Sequence, residues 1–249
     1  MSRCLHLAAS RLERLSRSAT ALLCQPGWTH LGEPPINWVA EIREQIGFGN
    51  WHGAMRLWLA SLYRRWRPRY SPEELSRLYD ACEFREFYFV AGGRLDFEDS
   101  TFDFILSEHF FEHLTLPDAL ALLRECHRIL RPGGVIRTSV PDADLRSYAA
   151  PESPGYPGPR VPWRHHQKHK MRWSVFSFSE ALRLAGLQPR PIQYCSDDGQ
   201  FHNELQMAAE VAWKDRHTAA ELIATTDYLR RMPSLIVDGS KPLKCSIHD

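Results

Sequence analysis

The sequence predicts an α/β fold with a doubly wound, mostly parallel sheet and helices on both faces. Three observations carry that reading. FDFILS (102–107) is a short run with three large apolar residues, the pattern of a strand buried on both faces. After it, Thr115, Pro117 and Asp118 give a helix start, and Ala119, Leu122, Leu123, Cys126 and Leu130 follow on one continuous face. Arg131 supplies positive charge at the helix end, Pro132-Gly133-Gly134 stops it, and VIRTSVPD (135–142) reads as another strand. Strand, amphipathic helix and strand in that order form a βαβ unit, which requires a parallel sheet with helices packed on it.

The remaining elements fall around that unit. CLHLA (4–8) suits a first strand and RLERLSRSATALL (11–23) a helix, although the Arg- and Ser-rich start also fits an organelle transit segment. GWTHLGE (27–33) reads as the second strand. The stretch 34–83 is helical: WVAEIREQI, then GAMRLWLASLYRRW, then a helix opened by Ser71-Pro72-Glu73-Glu74 with cap, N1 proline and two acids. FREFYFVAGG (84–93) is expected as a strand ended by Gly92-Gly93. AAPESPGYPGPRVP (149–162) is a loop. FSFSEALRLAGL (176–187) is a helix capped by Ser177 or Ser179 and closed at Gly186. PIQYC (191–195) is a strand, 204–231 is mostly helical, and SLIVD (234–238) is a final strand. The expected organisation is one domain over 1–249 with a helical cap inserted at about 34–83.

Composition narrows the function classes. A net charge of +1 gives no bulk electrostatic case for nucleic acid. The basic run RRWRPR (64–69) fits the charged outer face of a packed helix better than a membrane-surface or phosphate-binding strip. Six cysteines are scattered without a C-x-x-C, which points to a reducing, cytoplasmic setting. No apolar run reaches the ~20 residues that span a bilayer.

SEHFFEHL (107–114) contains H-x-x-E-H, the spelling of an inverted zinc-peptidase signature. That chemistry needs both histidines on one helix face. Here the string directly follows a buried-type strand and precedes the helix start at Thr115, so no metal is assigned to it. The longer stretch LDFEDSTFDFILSEHFFEHLTLPDALALLRECHRILRPGGVIRTSVPDADL resembles the class I S-adenosylmethionine-dependent methyltransferases. It looks most like the small bacterial, type 11-like members associated with cell-surface polysaccharide genes. HKMRWSVFSFSEALRLAGL (169–187) and SLIVDGSKP are similar to later segments of the same family. The resemblance covers about 84–187 well and the ends loosely.

The resemblance implies a Rossmann-like fold with S-adenosylmethionine at the carboxyl edge of the sheet. The implied cofactor residues are Leu7, Ala8, Ala9 and Ser10 after the first strand, Glu33 after the second, Gly93, Arg94 and Leu95 near the third, and Ser107 and Glu108 at the fourth. Two departures stand out. Ala8 and Ser10 occupy the places of family glycines, which let the backbone approach the cofactor closely. The third strand lacks the acid that faces adenine, leaving the backbone of 93–95 for that contact.

A hydroxyl acceptor benefits from a base that titrates near neutrality. His109 is the first choice, oriented by Glu108 or Asp142; its alternative is a structural histidine bonding a backbone carbonyl. His113 is expected to be chiefly structural but borders the acceptor region. WRHHQKHKMRW (163–173) reads as a solvated basic loop, as an acceptor-binding lid, or as a metal site built on its clustered histidines. His169, Arg172 and a stacking Trp173 are its likeliest substrate contacts, for a small-molecule or glycan acceptor. A homodimer is one assembly considered. The alternative function is an inactive methyltransferase-like protein that serves as a binding or regulatory partner.

Overall fold

The computed structural model describes residues 2–9, 11–15, 17–32, 38–47, 49–144, 169–198, 200–204 and 234–243. The strands are β1 (Cys4–Ala9), β2 (Trp28–Gly32), β3 (Glu83–Glu86), β4 (Phe102–Glu108), β5 (Leu130–Pro141), β6 (Gln188–Cys195), β7 (Phe201–Asn203) and β8 (Ser234–Ser240). The helices are α1 (Arg17–Leu23), α2 (Trp38–Gly47), α3 (Trp51–Trp66), α4 (Pro72–Ala81), α5 (Leu116–Ile129) and α6 (Val175–Leu184). The strands form one sheet in the order β3-β2-β1-β4-β5-β8-β6-β7. Pairings among β1 to β5 are parallel, and β8 inserts antiparallel to both β5 and β6.

The central strands read as nearly unbroken apolar runs because helices cover both sides of the sheet. Leu5, Leu7, Ile105 and Ile136 face one side and pack with Leu122, Leu123 and Cys126 of α5 and Phe178 and Leu182 of α6. On the other side, Trp28 and Leu106 pack under Ala19 and Leu23 of α1. The expected αβ architecture is therefore present, and residues 4–23 are integral to it.

Local chemistry explains the boundaries. Ser71 and Glu74 form a reciprocal capping box at α4, and Thr115 accepts the Asp118 amide at α5. The motif R-E-C-H-R has a structural task. Arg128 donates to the carbonyls of Leu95 and Phe97, Glu125 accepts the Leu95 amide at 2.9 Å, and the two side chains pair at 2.7 Å. This clamp fixes the approach to β4. Lys241, beyond β8, donates to the Leu130 carbonyl at 2.7 Å at the end of α5. Arg137 of β5 pairs with Asp238 of β8 directly across the ladder, with N–O distances of 2.7 Å.

Several expectations need correction. The stretch 11–23 is a 3-10 turn, Leu12–Arg14, followed by the shorter α1. The third strand covers only Glu83–Glu86, because only those residues pair with β2. Phe87 and Phe89 turn instead onto Phe110, with ring centroids 6.2 and 6.1 Å apart. The cap of α6 is Ser174, whose hydroxyl accepts the Ser177 amide, while Ser179 is buried inside the helix. Gly186 closes the helix as expected, at φ +87. The expected 149–162 loop and the expected helix from 205 to 231 lie outside the described residues. Among the described residues, no helix is long and apolar enough to cross a membrane.

Candidate active site

The carboxyl ends of β1, β4 and β5 meet along one edge of the sheet. Two of them leave their strands through left-handed, non-glycine residues: Ala8 at φ 56 and His109 at φ 49. Such a conformation brings the Cβ of an L-residue against its own backbone, at a cost of roughly 1–2 kcal/mol. At Ala8 the pairing with β2 slips between Leu7 and Ala9, so the chain bulges there. Alanine here adopts the left-handed turn that the resemblance expects of a glycine. Leu7 and Ala9 are wholly buried, and the Leu7 side chain belongs to the core. Of the first-strand residues expected at the cofactor, Leu7 can serve only through its backbone. Ser10 and Glu33 lie outside the described residues.

Near the third strand, several of the backbone groups expected at the adenine edge are engaged within the protein. The Gly93 amide donates to Val90, and Leu95 spends its amide on Glu125 and its carbonyl on Arg128. Arg94 is exposed and pairs with Asp99 at 3.3 Å. The amides of 93 and 95 and the Leu95 carbonyl are therefore already engaged within the protein.

At β4 the predicted residues do converge. Ser107 is buried, and its hydroxyl has no hydrogen-bond partner. Glu108 is half-buried at the strand end, opposite Ser139 of β5. His109 donates its backbone amide to the Ser139 carbonyl at 2.7 Å. Its ring Nε2 lies 3.1 Å from the Ser234 hydroxyl and 3.5 Å from that of Ser139. Its Nδ1 lies 3.3 Å from Glu112 Oε1. Glu112 is 2 % exposed, and its second carboxylate oxygen is buried without a partner. His109 is thus held between an acid on one ring nitrogen and hydroxyls on the other. The Ser234 hydroxyl beside Nε2 shows that an alcohol can approach that nitrogen within hydrogen-bond distance.

The acid beside the His109 ring is Glu112, whereas Asp142 is engaged elsewhere. Asp142 is buried, and its carboxylate oxygens accept the amides of Asp144 at 3.0 Å and Cys195 at 2.7 Å. Burial pushes its carboxyl up to about 6, against the pull of those two amides. Its role is to tie the end of β5 to β6. Trp173 is also reassigned. It is 1 % exposed, donates its ring N–H to the Phe111 carbonyl at 3.2 Å and meets Phe178 edge-on, so it is a core residue unable to stack on a substrate. Arg172 is exposed. His169 does reach the site's flank, where its ring meets His113 edge-on at 4.8 Å.

The H-x-x-E-H string runs from the β4 exit through a 3-10 turn, Phe111–His113, so its histidines share no α-helical face. Glu112, His113 and His169 nevertheless bring three ligand-capable atoms within 4.8 Å of one another.

Sequence reasoning missed Glu112, Ser139 and Ser234. An acid three residues after His109 across a tight turn is a local signal that could have exposed Glu112. Ser234 has none, since it arrives 125 residues later through the β5–β8 ladder.

The sheet is Rossmann-like, and the His109 cluster lies at the carboxyl ends of its central strands, where open α/β sheets bind ligands. Residues 45–138 match the family model described as a methyltransferase domain. That match runs from the end of α2 into β5 and includes the β4 exit, so this part of the chain is similar to a methyltransferase domain. Solved structures are also similar to the chain at low identity. A methyltransferase in complex with its Trm112 activator from Haloferax volcanii is 18% identical, with 97% of this chain and 82% of that chain covered at a TM-score of 0.46. An S-adenosylmethionine-dependent methyltransferase from Methanosarcina mazei is 14% identical, with 98% and 93% covered at a TM-score of 0.46. No curated protein is detectably similar in sequence.

Proposed function

We propose that this protein transfers a methyl group from S-adenosylmethionine to an oxygen or nitrogen of a small molecule or glycan. The observation that carries the proposal is the constellation around His109, with Glu112 near Nδ1 and hydroxyls near Nε2, at a sheet edge inside the stretch that is similar to a methyltransferase domain. At the methionine end of the cofactor, the residues fit the group. The bulged, left-handed Ala8 turn keeps backbone amides near the β1–β4 edge, and the unpartnered Ser107 hydroxyl is a further polar group there. When bound, the cofactor supplies an electrophilic methyl on sulfur. The chain's own work is alignment, water exclusion and proton acceptance. His109 Nε2 takes the acceptor's proton, while Glu112 holds the ring and stabilises the imidazolium that results. Glu108, His113 and His169 border the space where the acceptor would lie.

The test is calorimetric titration with S-adenosylmethionine and S-adenosylhomocysteine. Micromolar binding, about −8 kcal/mol, is expected. Absence of binding by both, repeated with glycan and small-molecule acceptors present, would overturn the enzymatic reading. The second reading, a non-catalytic binding partner, is favoured by one feature: a side chain at the φ 56 position where a glycine would admit the ligand more closely.

A further inference from the structure

A second group of chemically capable side chains lies on the α1 side of the sheet, separate from the His109 edge. Cys24 follows α1, His30 is in β2, and Cys82 ends α4. Their two sulfurs and one ring nitrogen lie within 4.8 Å of one another. His30 is fully buried, its Nε2 sits 3.0 Å from the Leu23 carbonyl, and its Nδ1 is buried without a hydrogen-bond partner. A carbonyl can only accept, so Nε2 carries the proton and Nδ1 presents a lone pair. A backbone carbonyl fixing the tautomer in this way is the usual support of a metal-ligating histidine.

We propose that Cys24, His30 and Cys82 form a Cys2His zinc site whose fourth position is taken by water. Three arguments support zinc. Two thiolates and a neutral imidazole bring a net charge of −2, which Zn²⁺ cancels, so the buried complex carries no net charge to desolvate. Tetrahedral zinc, with Zn–S about 2.3 Å and Zn–N about 2.0–2.1 Å, sets ligand atoms roughly 3.5–3.8 Å apart. The trio, within 4.8 Å, then closes on the ion by shifts of about 1 Å or less. Cys82 also lines an open cleft of about 250 Å³ shared with Arg3, Asp80 and Glu83, which gives the ion and a water an entry path. The site would bolt the last helix of the 34–83 insertion to β2 and α1.

The test is titration of the reduced, full-length protein with Co²⁺, followed by displacement with Zn²⁺. One equivalent with a thiolate-to-cobalt charge-transfer band and tetrahedral visible bands is expected, with proton release as the thiols ionise. The band should vanish in Cys24→Ser and Cys82→Ser and persist in Cys245→Ser. Because a ligand variant could fail to fold, wild-type protein is also alkylated with and without Zn²⁺, and zinc should protect Cys24 and Cys82 selectively. The proposal is overturned if wild type shows no thiolate–cobalt band, if Cys82→Ser keeps it, if zinc leaves the two thiols unprotected, or if Cys24 and Cys82 remain joined as a disulfide under excess reductant.

Discussion

The exits of β1 and β4 are neighbours in the sheet, and both turn through a left-handed non-glycine residue, yet they are built differently. Ala8 turns at a slip in the β1–β2 register and is half-buried. His109 turns with its amide on Ser139, its ring between Glu112 and Ser234, and the Phe111 carbonyl nearby anchored by Trp173. Strain persists in a fold where surrounding contacts over-determine it. By that measure the β4 exit is a constructed site, whereas the β1 exit pairs a left-handed alanine with a slip in the β1–β2 register.

The largest test of this contrast removes the brace. Trp173→Ala should destabilise the protein by about 3–5 kcal/mol in denaturant unfolding, as expected for a buried aromatic. A mild effect confined to acceptor affinity would restore the stacking role and weaken the claim that the β4 exit is rigid. Next, His109→Asn tolerates the left-handed turn but removes the base. Turnover of a hydroxyl acceptor should fall by roughly 10²–10³-fold, with S-adenosylmethionine affinity unchanged by calorimetry. Unaltered turnover would dismiss His109 as the base.

Asp142 gives a pH test of intermediate size. Its folded pKa, about 6, lies above the ordinary 3.8, so the folded state holds this proton more tightly than the unfolded chain. Its contribution to stability is therefore greatest below the unfolded value and is lost as pH rises through about 6, by roughly 2–3 kcal/mol in total. Carboxylates held low by arginines, Glu125 and Asp103 among them, act in the opposite sense. The measurement is thus the difference in unfolding free energy between wild type and Asp142→Asn from pH 4 to pH 7; a flat difference would refute the shift. The smallest effect is at the other exit. Ala8→Gly should stabilise the fold by about 1 kcal/mol and tighten S-adenosylmethionine binding. A loss of stability would show that the alanine methyl is packed to advantage.

The same contrast explains what was legible in the sequence. The β4–α5–β5 unit was readable because its signals are local: the Thr115 cap, the apolar stripe to Leu130 and the Pro-Gly-Gly stop. His109 could be chosen from its place after a strand. Its partners could not, because Ser139 and Ser234 reach it through sheet register. Trp173 and Asp142 misled for the converse reason. An aromatic beside basic residues and an acid ending a strand look functional until long-range burial and backbone amides claim them.

The inserted strand β8 also gives the site a history. Ser234 stands 125 residues beyond His109 and reaches it only by threading between β5 and β6. At the pace of synthesis, about 5–20 residues per second, roughly 6–25 seconds separate the appearance of the histidine from that of its hydroxyl partner. For that interval the nascent sheet has two open edges and His109 an incomplete environment. The order of translation therefore makes the most elaborate corner of the molecule one of the last to be finished.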